Sequence, residues 1–462
     1  MNYKSTRGSK KFNFKDILFS GLAEDGGLFV PIDWPQVNLR EIERNITYPE
    51  LATNIIKPFV HDEISTKDLD NLVENAYSNQ FSKGEIISFK NLNTNEVIVE
   101  LFNGPTLAFK DFAMQLLVPI FDYFLDIEKK KLNLIVATSG DTGSAAIDAV
   151  RKSKNINIFC LFPKGRISEF QRRQMSTVTE KNIFLCEIDG TFDDCQKIVK
   201  EILKDYKFSV QNKISAVNSI NWARIIIQSV YYFYTYIKFN NNNDYKVNFS
   251  VPTGNFGDIY AGYVAYKMGL PVNRLIIATN ENDILDRFLK SGIYKTDTVV
   301  KTTSPSMDIQ IASNFERLLY EVFDKSEKLT ASEMLKFEVN KTLKINIDNS
   351  NDTLSVFSSC KTTMDEIEEI IKNIYHSFGY VLDPHTATGL NASRNHNDSQ
   401  HLNFVLSTAN PIKFSDTVEK CLGNKLDLLS NFSNLFTLDE RIYKVDNNIQ
   451  SIKNFIKINK LQ

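Results

Sequence analysis

Residues 132–162, LNLIVATSGDTGSAAIDAVRKSKNINIFCLF, read as one β-α-β unit. LNLIVA is a short apolar strand, TSGDTG a loop, SAAIDAVRK a helix and INIFCLF the next strand. Apolar strand runs that alternate with helices are the pattern of a parallel sheet joined by right-handed crossovers. A second stretch has the same order: VNFSVP (247–252), the loop TGNFGD (253–258), the helix IYAGYVAYKMG and the strand RLIIAT (274–279). Between the two lie the strand IFLCEI, a helix over Phe192 to Lys204 and a long aromatic helix from about Asn221. A polar low-complexity loop follows at 240–243.

Working outward, VIVEL (97–101) is a further strand, followed by the turn NGPT and a helical run. Phe109, Phe112, Leu116, Ile120 and Phe124 share one face of that run, and Pro119 inside it is expected to kink the helix. HLNFVLSTANP (401–411) reads as a last strand and loop. Residues 1–90 form a mixed, helix-leaning section, and residues 300–400 are more helical and charged.

With 462 residues the chain has ample length for two large domains and their cores. Its net charge of −2, from 54 basic and 56 acidic residues, argues against a nucleic-acid partner or a polybasic membrane surface. Cys160, Cys186, Cys195, Cys360 and Cys421 make no CxxC pair, so no zinc or redox motif is expected, and their odd number suits a reducing compartment. The opening MNYKSTRGSKKFNF has no apolar core, so no secretory signal is expected. The most apolar stretch, Ala223 to Phe239, is broken by Arg224, Gln228, Ser229 and Lys238 and reads as a buried helix. A soluble cytoplasmic protein with no metal is the expectation.

Three strand-end loops stand out: TSGDTG (138–143), PTGNFGD (252–258) and LSTANP (406–411). Ligands of open parallel sheets bind beyond the carboxyl ends of the strands, and a Gly-rich turn into a helix presents backbone N–H groups to an anion. Two such turns suggest two anion pockets, or one ligand and one substrate. GxxxxGK[ST], GxGxxG and HExxH are all absent, which disfavours a P-loop, a dinucleotide fold and a zinc protease. Lys110, between Phe109 and Asp111, is either a solvated lysine or a buried amine, which desolvation would turn into a nucleophile and base. Asp141 is either a helix cap or a ligand contact. His385 in DPHTATG is a structural residue or an acid–base group. Pattern alone stops at an α/β enzyme with anion pockets.

The stretch ELFNGPTLAFKDFAMQ (100–115) resembles the lysine segment of the threonine synthase family, within the fold type II pyridoxal-phosphate enzymes. YKSTRG…GLAEDGGLFVP, TSGDTGSAA, VNSINWARI, SVPTGNFGD, ATNENDIL, SPSMDIQ, DPHTATG and LSTANPIKF resemble family segments in family order, so the likeness covers nearly the whole chain. It is similar to the longer subgroup, with an N-terminal section and an insertion in the later part. Asn103 stands where family members often have histidine, which leaves that side chain without an implied role.

The resemblance implies an α/β fold of the tryptophan synthase β type, with two open parallel-sheet domains and an N-terminal α+β section. The expected division is 1–94 for that section, 95–125 with 215–462 for the large cofactor domain, and 126–214 for a small mobile domain. Lys110 would carry pyridoxal 5'-phosphate and shuttle protons. Gly254, Asn255, Phe256, Gly257 and Asp258 would cup the cofactor phosphate, Thr408 would sit at the ring nitrogen, and Asp141 near the ring hydroxyl. Ser139, Thr142, Asn218 and Arg224 would hold the substrate's phosphate and carboxylate. The implied reaction turns O-phospho-L-homoserine and water into L-threonine and phosphate by γ-elimination and β-addition, the last step of threonine biosynthesis, in a monomer or homodimer. The alternative in the same family is a phospho-lyase acting on O-phosphothreonine or O-phosphoserine. A binding protein that kept the fold without turnover is the reading from another class.

Overall fold

The computed structural model describes residues 1–60, 62–78, 80–81, 85–239, 245–347, 352–396, 399–426 and 430–460. The low-complexity loop at 240–243 lies outside the described residues.

Two sheets organise the chain. The larger has six strands in the order Phe357–Lys361, Val272–Thr279, Val247–Pro252, Leu402–Ser407, Glu96–Glu100 and Ser88–Asn91. Every pairing is parallel except the last. The central strand VNFSVP is buried at all six positions, as a strand covered on both faces must be. Its polar residues are satisfied by the neighbouring strand and the covering helix Pro384–Asn395: Asn248 Nδ2 donates to Asn403 Oδ1 at 2.9 Å, and Ser250 Oγ to the Gly389 carbonyl at 2.6 Å. The smaller sheet has five parallel strands, in the order Tyr443–Lys444, Ile183–Ile188, Ile156–Pro163, Leu132–Ala137 and Ile214–Ala216.

The helix Trp222–Phe239 is the internal strut of the large unit. All its residues except Tyr234, Lys238 and Phe239 are buried, because it packs on the helices Lys110–Glu128, Gly257–Lys267 and Tyr48–Val60 at once. Among the described residues no helix is long and apolar enough to cross a membrane. The helix Lys110–Glu128 runs continuously through Pro119; burial of Leu116, Leu117, Val118, Ile120 and Phe121 on both sides holds the turn that lacks a hydrogen bond.

Two expected boundaries move. Strand Ser88–Asn91, placed by sequence in the N-terminal section ending at 94, is the antiparallel edge of the large sheet. The C-terminal end, grouped by sequence with the large domain through 462, returns to the small unit. Tyr443–Lys444 pairs with Ile183–Ile188, and Ile452 and Ile456 of the helix Ile449–Asn459 enter the core with Phe159, Phe184 and Ile198. Exposed apolar surface on the small sheet draws the tail back across the molecule, a long-range effect that sequence order does not encode. The N-terminal section, with an antiparallel sheet of Gly8–Phe12, Tyr3–Ser5 and Phe29–Pro31, docks on the large unit: Arg7 forms a two-point ion pair with Glu316 at 2.9 Å.

Candidate active site

One cleft is lined from both units, by Asp141 and Thr142 of the small one and by Lys110, Arg224, residues 252–258, Ser306, His385 and Thr408 of the large one. It lies beyond the carboxyl ends of strands Leu132–Ala137, Val247–Pro252 and Leu402–Ser407.

The turn after Val247–Pro252 supplies the anion cradle. Phe256 adopts a left-handed conformation (φ 63°, ψ 4°), held by packing on Phe315 and Phe357, and the helix Gly257–Lys267 begins at once. That conformation costs a side-chain-bearing residue roughly 1–2 kcal/mol, and it aims the turn's amides together. The Asn255 carbonyl is drawn away by Asn314, whose backbone N–H and Nδ2 both donate to it at 3.0 Å. Among the described residues nothing accepts from the N–H groups of Gly254, Asn255, Phe256, Gly257 or Asp258. Gly254 has no room for a side chain, since a Cβ would meet the Ser306 carbonyl at 2.8 Å.

Lys110 opens its helix from the far side of the cleft. The chain before it is zipped to the LSTANP loop: Phe109 N–H donates to the Thr408 carbonyl at 2.9 Å and Asn410 N–H to the Leu107 carbonyl at 3.0 Å. Thr106 braces the turn by donating its N–H and hydroxyl to Asp111, at 2.8 and 2.6 Å; burial pushes that carboxyl up to about 7. The Lys110 amine lies 4.7 Å from the centre of the Phe109 ring and 3.3 Å from Asp141 Oδ2. Burial pushes this amine down from the ordinary lysine range; Asp141 opposes the shift, and Lys413 and Arg224 add to it.

Asp141 begins the helix Asp141–Val150, but Gly140 holds the cap position and the carboxylate caps nothing. Its Oδ1 accepts from Lys413 Nζ at 2.9 Å and Gln171 Nε2 at 2.8 Å; Oδ2 accepts from Lys110 at 3.3 Å and Ser306 Oγ at 3.4 Å. Burial alone would raise this carboxyl, but Lys413 and then Lys110 outweigh it and hold Asp141 well below the usual range.

Arg224, in the first turn of Trp222–Phe239, is 3% exposed, and its Nε and Nη1 have no acceptor among the described residues. Burial pushes the guanidinium down to about 10. An uncompensated buried cation costs several kcal/mol, so the geometry calls for an anion. Asp258 is the opposite case. Its Oδ1 accepts from the hydroxyls of Tyr231 and Tyr232, Oδ2 has no partner among the described residues, and burial pushes the carboxyl up to about 6.

His385 joins the site through geometry. Its Nδ1 lies 2.9 Å from Asp383 Oδ1, and its Nε2 accepts from Ser306 N–H at 3.3 Å. Phe414 covers the ring at 4.7 Å. Thr142 and Thr408 line the cleft, whereas Ser139 and Asn218 are not among its lining residues. Asn218 Oδ1 instead accepts from Ile220 N–H at 3.2 Å, turning the chain toward Asn221 and the helix. Asn103 also lies outside, with Nδ2 donating to Ser88 Oγ at 2.9 Å. Lys413, Ser306, Gln171 and Gln228 were missed by sequence reasoning. For Lys413 a signal existed: it sits between Ile412 and Phe414, as Lys110 sits between Phe109 and, one residue on, Phe112. The other three carry none.

The amine, the cradle of unpaired N–H groups and the hydroxyl of Thr408 in one cleft suit a phosphorylated aldehyde with a heteroaromatic ring; the unpaired amides are what its phosphate would need.

Comparison with known proteins agrees with this geometry. Residues 2–77 match the family model for the threonine synthase N terminus, residues 88–403 that for pyridoxal-phosphate dependent enzymes, and residues 386–456 that for the threonine synthase C-terminal region. The threonine synthase of Pseudomonas aeruginosa is 43% identical over 99% of this chain and 98% of its own length. That of Saccharomyces cerevisiae is 43% identical over 93% of this chain and 90% of its own. The crystal structure of pyridoxal-phosphate-bound threonine synthase from Brucella melitensis is 41% identical, covers 100% of both chains and superposes with a TM-score of 0.94.

Proposed function

The chain belongs to the threonine synthase family of pyridoxal-phosphate-dependent enzymes, and from that premise we propose that its cleft turns O-phospho-L-homoserine and water into L-threonine and phosphate. The observation that carries the substrate reading is Arg224. The cleft holds a second anion site, a buried guanidinium without a partner, beside the backbone cradle that one phosphate would fill.

Lys110 would hold the cofactor through its amine, the N–H groups of residues 254–258 its phosphate, and Thr408 its ring nitrogen. When bound, pyridoxal phosphate supplies an aldehyde that condenses with amines and a conjugated ring that takes up the electrons of a broken C–H bond. Thr408 can donate a hydrogen bond or accept one without placing a negative charge at the ring. Arg224 binds the substrate phosphate with two-point geometry, and Thr142 adds a hydroxyl from the small unit. Once the substrate amine has taken its place, Lys110 Nζ is a free amine. It would take the α-proton, pass it to the conjugated system that the cofactor supplies, and so be free to take a β-proton, with phosphate departing from the γ-carbon onto Arg224. Protons are returned at the γ- and α-carbons, and water adds at the β-carbon, so that CH2–CH2–OPO3 becomes CHOH–CH3 with release of phosphate. Asp141 keeps Lys110 Nζ in line between two positions. The Phe109 ring, 4.7 Å from the amine, limits water there. Ser139 and Asn218 are given no substrate contact. The five unpaired cysteines fit a reducing cytoplasm.

The test is product analysis with purified protein. Threonine and phosphate in equal amounts from O-phospho-L-homoserine are expected. No turnover of that compound, with keto acid formed from O-phosphothreonine instead, would move the chain to the phospho-lyase reading. Borohydride reduction followed by peptide mapping should place the cofactor on Lys110, and a label on another lysine removes the mechanism.

A further inference from the structure

Lys413 is fully buried, 0% exposed, and has two partners: the Thr106 carbonyl at 2.7 Å and Asp141 Oδ1 at 2.9 Å. It lies on the segment Pro411–Phe414 of the large unit, whereas Asp141 belongs to the small one. Asp141 therefore has a lysine on each oxygen, the shorter contact going to Lys413 and the longer, 3.3 Å, to Lys110. We propose that Lys413 is a positioning residue that claims the carboxylate of Asp141 and so denies the amine of Lys110 a counter-charge of its own. The inference rests on Lys110 as the reactive amine and adds what keeps it reactive.

The argument is one of charge count in a dry place. Lys110 and Asp141 alone would make a neutral buried ion pair, which would fix Lys110 as an ammonium, with no lone pair for an aldehyde or a C–H bond. Lys413 makes the cluster two cations to one anion, and Gln171 further occupies its side of the carboxylate, donating to Oδ1 at 2.8 Å. The groups facing Lys110 from the neighbouring elements point the same way. Arg224 adds a third cation, and Asp258 is tied by its hydrogen-bonded oxygen to Tyr231 and Tyr232; His385, on the helix Pro384–Asn395, bonds to Ser306, whose hydroxyl donates to Asp141 Oδ2. A buried cluster with excess positive charge is relieved most cheaply by loss of one proton. Lys110 has the longer contact to the carboxylate, while Lys413 has both the nearer oxygen and the Thr106 carbonyl, so Lys110 is the one to give it up.

The experiment uses full-length protein freed of cofactor with hydroxylamine. It is labelled with a trace of acetic anhydride over a range of pH, and the Lys110 peptide is quantified by mass spectrometry. Lys413→Gln keeps a donor to the Thr106 carbonyl and removes the charge; Lys413→Met is the second charge-free variant, used where circular dichroism shows that the first does not fold. The expected result is a Lys110 labelling midpoint raised by about one pH unit or more, about tenfold less label at a fixed pH below the midpoint. Lys413→Arg, which keeps the charge, should label as the unaltered protein does. In the loaded enzyme the acidic limb of the kcat profile should move the same way. An unmoved midpoint in a folded charge-free variant overturns the proposal, as does an arginine variant that behaves like the glutamine one. Failure of the underlying reading is a separate outcome: it would show as cofactor trapped on a lysine other than Lys110, whatever the labelling midpoint.

Discussion

The turns 138–143 and 253–258 look alike in sequence. Each follows an apolar strand, contains two glycines and a threonine at its start, has one aspartate and leads into a helix. In the structure they do different work. In the first, Thr138 turns its hydroxyl into the loop and accepts from Gly140 N–H at 2.9 Å and Gly143 N–H at 2.8 Å, so the amides of both its glycines are taken locally. In the second, Thr253 donates back to the Val251 carbonyl at 2.6 Å, and the amides that follow stay unpaired toward the cleft. The aspartates diverge likewise: Asp141 is held ionised between lysines, whereas Asp258 is raised and held by tyrosines. A Gly-rich turn is an anion site only where nothing local takes its N–H groups.

The cation opposite these turns should give the largest effect. Arg224→Ala is expected to weaken the phosphorylated substrate by about 2–5 kcal/mol through loss of a buried charge partner, read as apparent affinity in the product assay. If affinity holds, the two turns alone bind both phosphates and the contrast between them collapses.

Asp258 offers a test by pH. Its folded carboxyl is raised to about 6, so the folded form holds the proton more tightly than the unfolded chain does. Its contribution is greatest below about pH 4 and is lost as pH rises toward the folded value, about 3 kcal/mol in order of magnitude. In cofactor-free protein, Asp258→Asn should gain thermal midpoint relative to the unaltered chain between about pH 4.5 and about pH 7.5. A constant difference would mean that the carboxyl is not buried protonated.

A paired substitution sharpens the contrast at smaller magnitude, about 1–3 kcal/mol each. Gly254→Val drives a side chain against the Ser306 carbonyl and should lower cofactor affinity, measured by equilibrium titration of the protein's absorbance. Thr138→Val removes the acceptor of two buried N–H groups and should lower the unfolding midpoint while changing cofactor affinity little. Equal effects on both readouts would make the turns equivalent after all.

Much of the site was legible because its chemistry comes from short contiguous motifs. Lys110, Thr408 and residues 254–258 sit in segments whose order matched a family, and the structure gathers them around one cleft. Ser139 and Asn218 are not among the residues that line the cleft, although Asp141, Thr142, Ser219 and Arg224 close to them in sequence are, because closeness in sequence does not set side-chain direction. Asp141 had two open readings, and only the lysines brought from residues 110 and 413 decided between them.

By itself the sequence determined the parallel sheets and the position of each loop at a strand's carboxyl end, since strand and turn preferences act over a few residues. The tertiary structure alone decided that the C-terminal tail closes the small sheet and that two lysines some 300 residues apart share one carboxylate. Those outcomes depend on burial and charge balance among distant segments, which exist only once the chain has packed.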